Sequence, residues 1–509
     1  MAQRRFLGEF MLIDQPDTRR TAPRAALHLL AKWPVLGIAG VLAAAHAIAG
    51  AFGDYWVDEV YMLAAGKYHP NWGYVDQPPL TPMIAAAMDF IAPDSMFVLR
   101  LPAALASGGA VVLVALLARE LGADRRAQSI AALAGATGLW SNLIGHWVAP
   151  YTFEPLLWTA LLLPLVRWLR QHAQGVADDR LLLAFGVLLG INLQLKFQVV
   201  VLCAALLVSA LVVGPRAVLT RPMLWAGAGI ALLIGSPTLI WQAVNGWPQL
   251  AMSSIVAQES PTLSGGRGGT AVQLVLFAGV LGTALVLAGL WLLLSKSWLR
   301  PYRMFAITTI LLWVFFVVTA GRPYYLIGMY GLPIAAATVS LQRRREAKPP
   351  RWGWAAWPVY AISLVAAGLL IHSGAEINRG FSAAITKVDG DRISDTIAQD
   401  VSRAYLSLPA EQRTRTAVIG ENYISAAMLD VGGAHHPLPE VFSPHRGYGY
   451  FDAPSDEIDT IVYYGHDAEE LRPYFTDIRP ATPGENLKGW IATGKTQPWS
   501  TIWPALKSL

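Results

Sequence analysis

The sequence predicts a polytopic α-helical membrane protein of about eleven transmembrane helices with a small C-terminal α/β domain outside the membrane. Hydrophobic residues make up 54% of the 509 residues and charged residues only 14%. This balance excludes an ordinary soluble protein. Because a span needs roughly 20 largely apolar residues, we predict spans at 34–53, 97–118, 127–145, 153–169, 181–193, 197–213, 223–243, 271–294, 304–320, 324–341 and 355–373.

The run from 181 to 213 is too long for one span and too short for two full ones. A polar interruption ending at Lys196 therefore indicates two helices that meet in a short turn near one membrane face. The first apolar run, at 34–53, is too long for the core of a cleaved signal peptide, so we expect it to remain as a span.

Lysine and arginine alternate across these spans. One set of connections carries clusters of arginine, and the opposite set carries almost only Lys67, Lys196, Arg267 and Arg322. Since cytoplasmic loops hold the excess of Lys and Arg, the segment 1–33 should be cytoplasmic. The membrane module should extend over 34–374 with an outer loop at 54–96, and residues 375–509 should lie outside, which predicts a multi-pass protein of the cytoplasmic (inner) membrane.

The region after residue 375 changes in composition, with many charges, Gly, Pro and Tyr and no membrane-length apolar run. At about 130 residues it is long enough to fold as a domain of its own. Its alternating short elements predict an α/β fold. The expected strands are Thr416–Gly420, Thr460–Tyr464 and Gly489–Thr493, and the expected helices are Asp391–Leu406 and Tyr423–Val431.

Four acidic residues stand in the first outer loop, immediately after the first span: Asp54, Asp58, Glu59 and Asp76. Carboxylates next to a bilayer are costly and usually functional. A carboxylate within hydrogen-bond reach of a hydroxyl acts as a general base. We select Asp58 first and Asp76 second for that role. Pro78-Pro79 would hold Asp76 in a fixed place, because proline fixes its own φ and restricts its neighbour.

Other polar residues fall on the same predicted outer face. They are His146, Tyr151 and Glu154 after the third span, Lys196 in its turn, and Arg322 after a later span. Polar groups that converge from distant parts of the chain indicate a site. Lys196 and Arg322 are the cations that would stabilise a departing phosphate.

These residues form a spaced set that resembles the bacterial GT-C glycosyltransferases, in particular the group of protein O-mannosyltransferases and the lipid A aminoarabinose transferase. The set consists of Asp58-Glu59, the run Gly73–Leu80, Arg100-Leu-Pro102, the Lys196 turn, Trp241–Pro248 and Gly321–Tyr325. The resemblance implies a polyprenyl-phosphate sugar as donor, reaction at the outer face, and inversion at the sugar. It implies no nucleotide sugar.

The resemblance also implies roles for residues. Asp58 matches the family's first-loop acid, and Asp76 matches the second acid before the prolines. Lys196 matches a lysine that contacts the donor phosphate, and Arg322 with Tyr324 or Tyr325 matches a basic and aromatic pair near the donor. We expect acceptor or supporting roles for Glu59, Glu154 and His146. Two positions depart from the family pattern, Gln77 and Glu154.

The expected partners are the lipid-linked donor, membrane lipids, and a glycan, glycolipid or protein as acceptor. The net charge of +5 is explained by the cytoplasmic loops and requires no nucleic acid. No cofactor is required, although Asp58 and Asp76 could share a divalent cation. The one cysteine, Cys203, gives neither a disulfide framework nor a Cys-based metal site.

Simpler interpretations remain for single residues. Asp58 and Glu59 could cap a helix, Lys196 could extend to the interface without binding, and Tyr324 and Tyr325 fit an aromatic belt. A lipid-linked sugar transporter or flippase would place charges at mid-membrane depth or show inverted repeats, and neither pattern is visible. A non-catalytic cell-envelope assembly protein would leave the first-loop carboxylates without a role.

Overall fold

The structure is a computed structural model that describes residues 27–348, 356–386, 392–482 and 488–509. Most of the predicted cytoplasmic segment 1–33 lies outside the described residues, as does the first residue of the helix predicted to begin at Asp391.

The described chain is mostly helical. The α-helices are, in chain order, α1 (Lys32–Gly50), α2 (Val57–Lys67), α3 (Leu80–Ile91), α4 (Met96–Glu120), α5 (Arg125–Ala136), α6 (Leu139–Ile144), α7 (Pro150–Ala173), α8 (Arg180–Leu193), α9 (Gln198–Val213), α10 (Pro222–Val244), α11 (Pro248–Ser264), α12 (Gly266–Leu276), α13 (Gly279–Ser295), α14 (Arg303–Val318), α15 (Gly331–Ala347), α16 (Trp357–Thr386), α17 (Ile393–Leu406), α18 (Ala410–Arg413), α19 (Tyr423–Gly432) and α20 (Trp499–Leu506).

Five helical segments among the described residues are long and apolar enough to cross a membrane: α1, α4, α10, Ser297–Val318 and Trp357–Ile377. Two bent pairs raise the number to seven if each is one span. They are α12 with α13, bent by 92°, and Pro323–Met329 with α15, bent by 50°. The protein is therefore a multi-pass helical membrane protein, and the count of eleven spans stays a prediction.

The predicted split of 181–213 is confirmed, because α8 ends at Leu193 and α9 begins at Gln198. The predicted single span at 127–145 is instead broken between α5 and α6. The Asn142 side chain donates hydrogen bonds to the carbonyls of Ala136 and Gly138 across the break. The Leu139 N–H donates to the carbonyl of Phe277, 2.9 Å away. This bond joins the break to the bend between α12 and α13.

The predicted outer loop 54–96 contains two helices, α2 and α3, that the sequence did not reveal. Asp58 and Glu59 lie in the first turn of α2, where acidic residues are favourable. The Leu80 N–H, at the start of α3, donates to the carbonyl of Gln194, 2.9 Å away. The outer loop is thereby held beside the turn that carries Lys196.

The C-terminal region forms a five-stranded mixed sheet. Its strands are β1 (Thr416–Gly420), β2 (Val441–Phe442), β3 (Thr460–Gly465), β4 (Phe475–Thr482) and β5 (Lys488–Lys495). The order is β2-β1-β3-β5-β4, with β1 parallel to β2 and β3, and β5 antiparallel to β3 and β4. The three predicted strands are confirmed as β1, β3 and β5, and the two predicted helices as α17 and α19.

Alternate residues of the strands enter two different cores. Val418 and Val462 pack with α17 and α19 into a cluster that also contains Tyr61 and Tyr74 of the outer loop. Ile419 lies in the opposite cluster, with Trp499 of α20. This alternation follows from the two-residue period of a strand. One face of the sheet is therefore packed, through two helices, against the outer loop of the membrane module.

Candidate active site

A cavity of about 1220 Å³ lies between the outer loop, the membrane helices and the C-terminal region. The residues predicted as catalytic or donor-binding all line it: Asp58, Asp76, Lys196, Arg322, Tyr324 and Tyr325. They come from four separate parts of the chain, so the fold brings together the set that the sequence singled out.

Asp58 is the second residue of α2 and faces the cavity. Its Oδ2 accepts a hydrogen bond of 3.0 Å from the hydroxyl of Tyr151, which itself accepts one of 2.9 Å from the Trp56 indole N–H. Burial raises the pKa of Asp58, while the Tyr151 hydrogen bond and the charges of Arg446 and other cations act in the opposite direction. The carboxyl is thereby oriented by a hydrogen-bonded chain of two aromatic side chains.

Asp76 lies in the loop between α2 and α3. The hydroxyl of Tyr61 donates to its Oδ1 at 3.1 Å. Burial raises the pKa of Asp76 to about 6, while Arg446 acts to lower it. Pro79, the second of the two prolines after Asp76, is the N-cap residue of α3.

The loop that carries Asp76 is held by α10. The Gln242 side chain donates to the Tyr74 carbonyl at 2.9 Å, and the Tyr74 N–H donates to the Gln77 carbonyl at 3.0 Å. A Cβ placed on Gly73 would lie 2.9 Å from the ring of Trp241, so any larger residue there would require the Trp241 ring to move. Two of the sequence motifs, Gly73–Leu80 and Trp241–Pro248, are therefore one packed unit.

Lys196 stands in the turn between α8 and α9. Its Nζ lies 3.2 Å from Glu154 Oε2, and 4.2 Å and 5.0 Å from the ring centroids of Tyr325 and Tyr324. Burial lowers the pKa of Lys196, and the Glu154 carboxylate acts to raise it. With a side chain only 12% exposed, Lys196 is packed within the protein and paired with Glu154.

Arg322 forms an ion pair with Glu259 of α11, and the same carboxylate also pairs with Arg446 of the C-terminal region. All three line the cavity. Tyr324, next to Arg322, stacks on Trp140 with ring centroids 4.9 Å apart. The side of the cavity predicted to bind the donor is thus a cluster of guanidinium and aromatic groups.

Glu59 and His146 do not line the cavity. Glu59 is fully buried and paired with Arg100, with Nη2 and Oε2 2.6 Å apart. Its other oxygen accepts the Val148 N–H at 3.0 Å. His146 is buried in edge-to-face contact with Trp147, their ring centroids 5.7 Å apart. Both residues are therefore buried outside the cavity lining, and their predicted acceptor or supporting role stays a prediction.

Asp54 also lies behind the site. Its Oδ2 accepts the Ile393 N–H at 2.6 Å, which ties the end of the first span to the start of α17. Within 27–348, 356–386, 392–482 and 488–509, no group of three or more His, Cys, Asp or Glu side chains is arranged to hold a metal ion.

Three residues of the site were not selected from the sequence: Tyr61, Glu259 and Arg446. Tyr151 was named among the converging polar residues but was given no role. Tyr61 and Tyr151 donate hydrogen bonds to the two carboxylates, and Glu259 and Arg446 add charge beside Arg322. A run of glycines and tyrosines follows Arg446 at 447–450. This unusual composition is the only signal that could have drawn attention to that segment.

The described chain has the fold of a polytopic helical membrane protein, and that fold resembles the fold of solved GT-C glycosyltransferases. The chain is similar to ArnT from Cupriavidus metallidurans in the apo state, with a TM-score of 0.61 and 14% identity over 90% of this chain and 97% of that one. The same protein bound to undecaprenyl phosphate gives a TM-score of 0.56 and 14% identity, with the same coverage. Arabinofuranosyltransferase AftD from Mycobacteria gives 0.50 and 13% identity over 92% of this chain and 40% of that one.

The sequence itself matches a more specific family over residues 76–241, described as dolichyl-phosphate-mannose-protein mannosyltransferase. The matched stretch begins at Asp76 and ends at Trp241, so it includes Lys196 and Glu154. The resemblance to the GT-C glycosyltransferases and their mannosyltransferase-like group is confirmed. A search of the curated proteins found no match.

Proposed function

We propose that the protein transfers a sugar from a polyprenyl-phosphate donor to an acceptor hydroxyl at the outer face of the cytoplasmic membrane, with inversion and with Asp58 as general base. One observation carries the proposal. A single cavity holds carboxylates able to take a proton, Asp58 and Asp76, together with cations able to hold a phosphate, Lys196 and Arg322. The undecaprenyl phosphate bound to one fold neighbour supports the choice of donor.

The donor side has a polar end and an apolar wall. Lys196 and Arg322 would hold the phosphate, and the Arg322 Nη1 is buried with no hydrogen-bond partner in the protein. Such cations stabilise the charge that develops on a departing phosphate. Val200, Leu239 and Leu263 also line the cavity, and this apolar surface suits a prenyl chain.

On the acceptor side, one displacement accounts for inversion. The acceptor oxygen forms a bond to the anomeric carbon as the bond from that carbon to the phosphate oxygen breaks. The hydroxyl proton moves to Asp58, and the bonding electron pair leaves with the phosphate. Asp76, held by Tyr61, would orient the acceptor. Glu154 would support Lys196, and Glu59 and His146 would support the wall from behind.

The reaction requires no cofactor in this proposal, because Asp58 accepts the proton and the cations neutralise the phosphate. EDTA treatment should therefore leave transfer unchanged. A loss of activity that Mg²⁺ restores would instead assign a divalent cation to Asp58 and Asp76.

The proposed topology has eleven spans, a cytoplasmic segment 1–33 and the domain 375–509 outside the membrane. In a protein whose Cys203 has been replaced by serine, Ser455→Cys should react with an impermeant thiol reagent in intact cells. Gln174→Cys should react only after lysis. The opposite result would invert the topology.

The transfer reaction is tested with purified protein, synthetic polyprenyl-phosphate sugars and glycan, glycolipid or peptide acceptors. Asp58→Asn should lower the rate about 100- to 10,000-fold, the usual contribution of a general base. Lys196→Ala should weaken donor binding. Glu411→Gln, an acid-to-amide change on the exposed short helix α18, is the matched control and should keep full activity.

Two results would contradict the proposal. Full activity in Asp58→Asn would overturn the assignment of the base. No turnover with any lipid-phosphate donor, by protein that is folded and monodisperse, would overturn the function itself.

A further inference from the structure

The carboxylate of Glu259 lies between two guanidinium groups that come from different halves of the chain. Its Oε1 accepts a hydrogen bond from Arg446 and its Oε2 accepts one from Arg322. Both arginine side chains are largely buried, at 17% and 14% exposure. One carboxylate therefore faces two guanidinium groups, which leaves an excess of one positive charge within this cluster of three side chains.

Each arginine retains a hydrogen-bond donor that the protein does not use. Arg322 Nη1 and Arg446 Nε are buried and have no partner, and a buried polar group without a partner is costly. The planar guanidinium fork matches the oxygens of a phosphate. A phosphate at this position would accept hydrogen bonds from both unused donors. The Glu259 carboxylate alone leaves both donors without a partner.

The backbone holds Arg446 at the cavity under strain. Its φ is 51°, in the left-handed region that residues other than glycine rarely adopt. The Arg446 N–H donates to the Ser508 carbonyl at 2.8 Å, and the guanidinium lies 5.0 Å from the ring centroid of Tyr423. A Cβ on the next residue, Gly447, would lie 1.9 Å from the Tyr61 hydroxyl. The segment is therefore packed directly against the tyrosine that orients Asp76.

Arg446 also lies near the carboxylates. Among the cations that act on Asp58 and Asp76, Arg446 exerts the largest attraction on each. The side chain thus lies between the carboxylates proposed to serve the acceptor and Arg322, which is proposed to hold the departing phosphate.

We propose that Arg446 and Arg322 together bind the donor phosphate, and that Glu259 is an internal anion that holds both guanidinium groups in place until the donor binds. This inference rests on the proposed function. It makes the C-terminal region a contributor to the substrate site, since the cavity lacks one phosphate ligand without it.

The test measures binding of undecaprenyl phosphate to the purified full chain in detergent, with undecaprenol as the uncharged reference ligand. Arg446→Gln should weaken binding of the phosphate about 10- to 100-fold, the range expected when a hydrogen bond to a charged group is lost. Binding of undecaprenol should not change. Arg446→Lys, which keeps the charge without the fork, should give an intermediate affinity.

Glu259→Gln separates phosphate binding from a merely structural ion pair. If Arg446 only tied the C-terminal region to α11, Glu259→Gln and Arg446→Gln would weaken binding equally, and the double variant would be no weaker than either. We expect Glu259→Gln to bind the phosphate at least as tightly as the wild type, because it removes a competing anion. The control is Arg472→Gln, an exposed arginine paired with Glu469, which should bind as the wild type does.

The outcomes also separate this inference from the proposed function. Wild-type affinity in Arg446→Gln, with the wild type active, would overturn the role of Arg446 alone. Equal losses in Arg446→Gln and Glu259→Gln would do the same. If the wild-type protein does not bind undecaprenyl phosphate more tightly than undecaprenol, the proposed function is overturned as well.

Discussion

Replacing Arg100 with leucine would leave the Glu59 carboxylate buried without its partner. Arg100 is 1% exposed, and its Nε and Nη2 donate to Glu59 at 3.0 Å and 2.6 Å. It also donates to the backbone carbonyls of Gly50, Phe52 and Asp54 at 3.2, 3.2 and 2.7 Å. One side chain therefore joins the end of α1, the start of α2 and α4.

The cost follows from these contacts. Removing one partner of a buried ion pair destabilises a protein by about 3–5 kcal/mol, because the remaining charge is uncompensated. The three carbonyls also lose a charged donor. We therefore expect Arg100→Leu to lower the free energy of unfolding by the upper part of that range, about 5 kcal/mol. Activity should fall too, because Asp58 is adjacent to Glu59.

Denaturant titration in detergent, followed by tryptophan fluorescence, measures this change. Arg472→Leu, which breaks an exposed pair with Glu469, is the control and should cost less than about 1 kcal/mol. The double variant Glu59→Leu with Arg100→Leu should recover part of the loss, because no buried charge remains. Equal stability of Arg100→Leu and Arg472→Leu would refute the reasoning.

Three further predictions concern the site. Since burial raises the pKa of Asp76 to about 6 and also raises that of Asp58, both carboxylates lose their charge as the pH falls. Transfer should therefore decline below about pH 6, and a rate unchanged down to pH 5 would contradict this. Tyr151→Phe removes a hydrogen bond that lowers the pKa of Asp58, so the acidic limb of the pH–rate profile should move to higher pH. A Tyr151→Phe variant whose acidic limb stays at the wild-type pH would contradict this prediction. Gly447→Ala should reduce activity in a folded protein, because the added Cβ would meet the hydroxyl of Tyr61. The control is Gly229→Ala, which should stay active because a Cβ there meets nothing within 4 Å.

Much of the membrane module was predictable because a span is a local property of composition. The split around Lys196 could be located from a few polar residues. Helix α11 could not be located from the sequence, because its polar residues interrupt any membrane-length apolar run. This helix carries Glu259, which lines the cavity. The break within the span predicted at 127–145 could not be foreseen, because an apolar run does not reveal a break that is stabilised by Asn142 and by a distant carbonyl.

Some of the C-terminal strands could be predicted from the sequence and others could not. The runs at Thr416–Gly420 and Thr460–Tyr464 are rich in residues that favour a buried strand, and they were found. β2 has two residues, too few for a periodic signal, and β4 contains Pro480 in an edge strand, which weakens the pattern. Arg446 could not be assigned to the site, because its place depends on how the sheet packs on the outer loop.

The bond between Arg446 and Ser508 has a consequence for biosynthesis. The membrane helices emerge from the ribosome and insert well before residues 446 and 508 are made. The cavity therefore cannot be completed one helix at a time during insertion, and its wall closes only after the later region has folded back onto the outer loop. Until then the nascent chain lacks the part of the cavity wall to which Arg446 belongs.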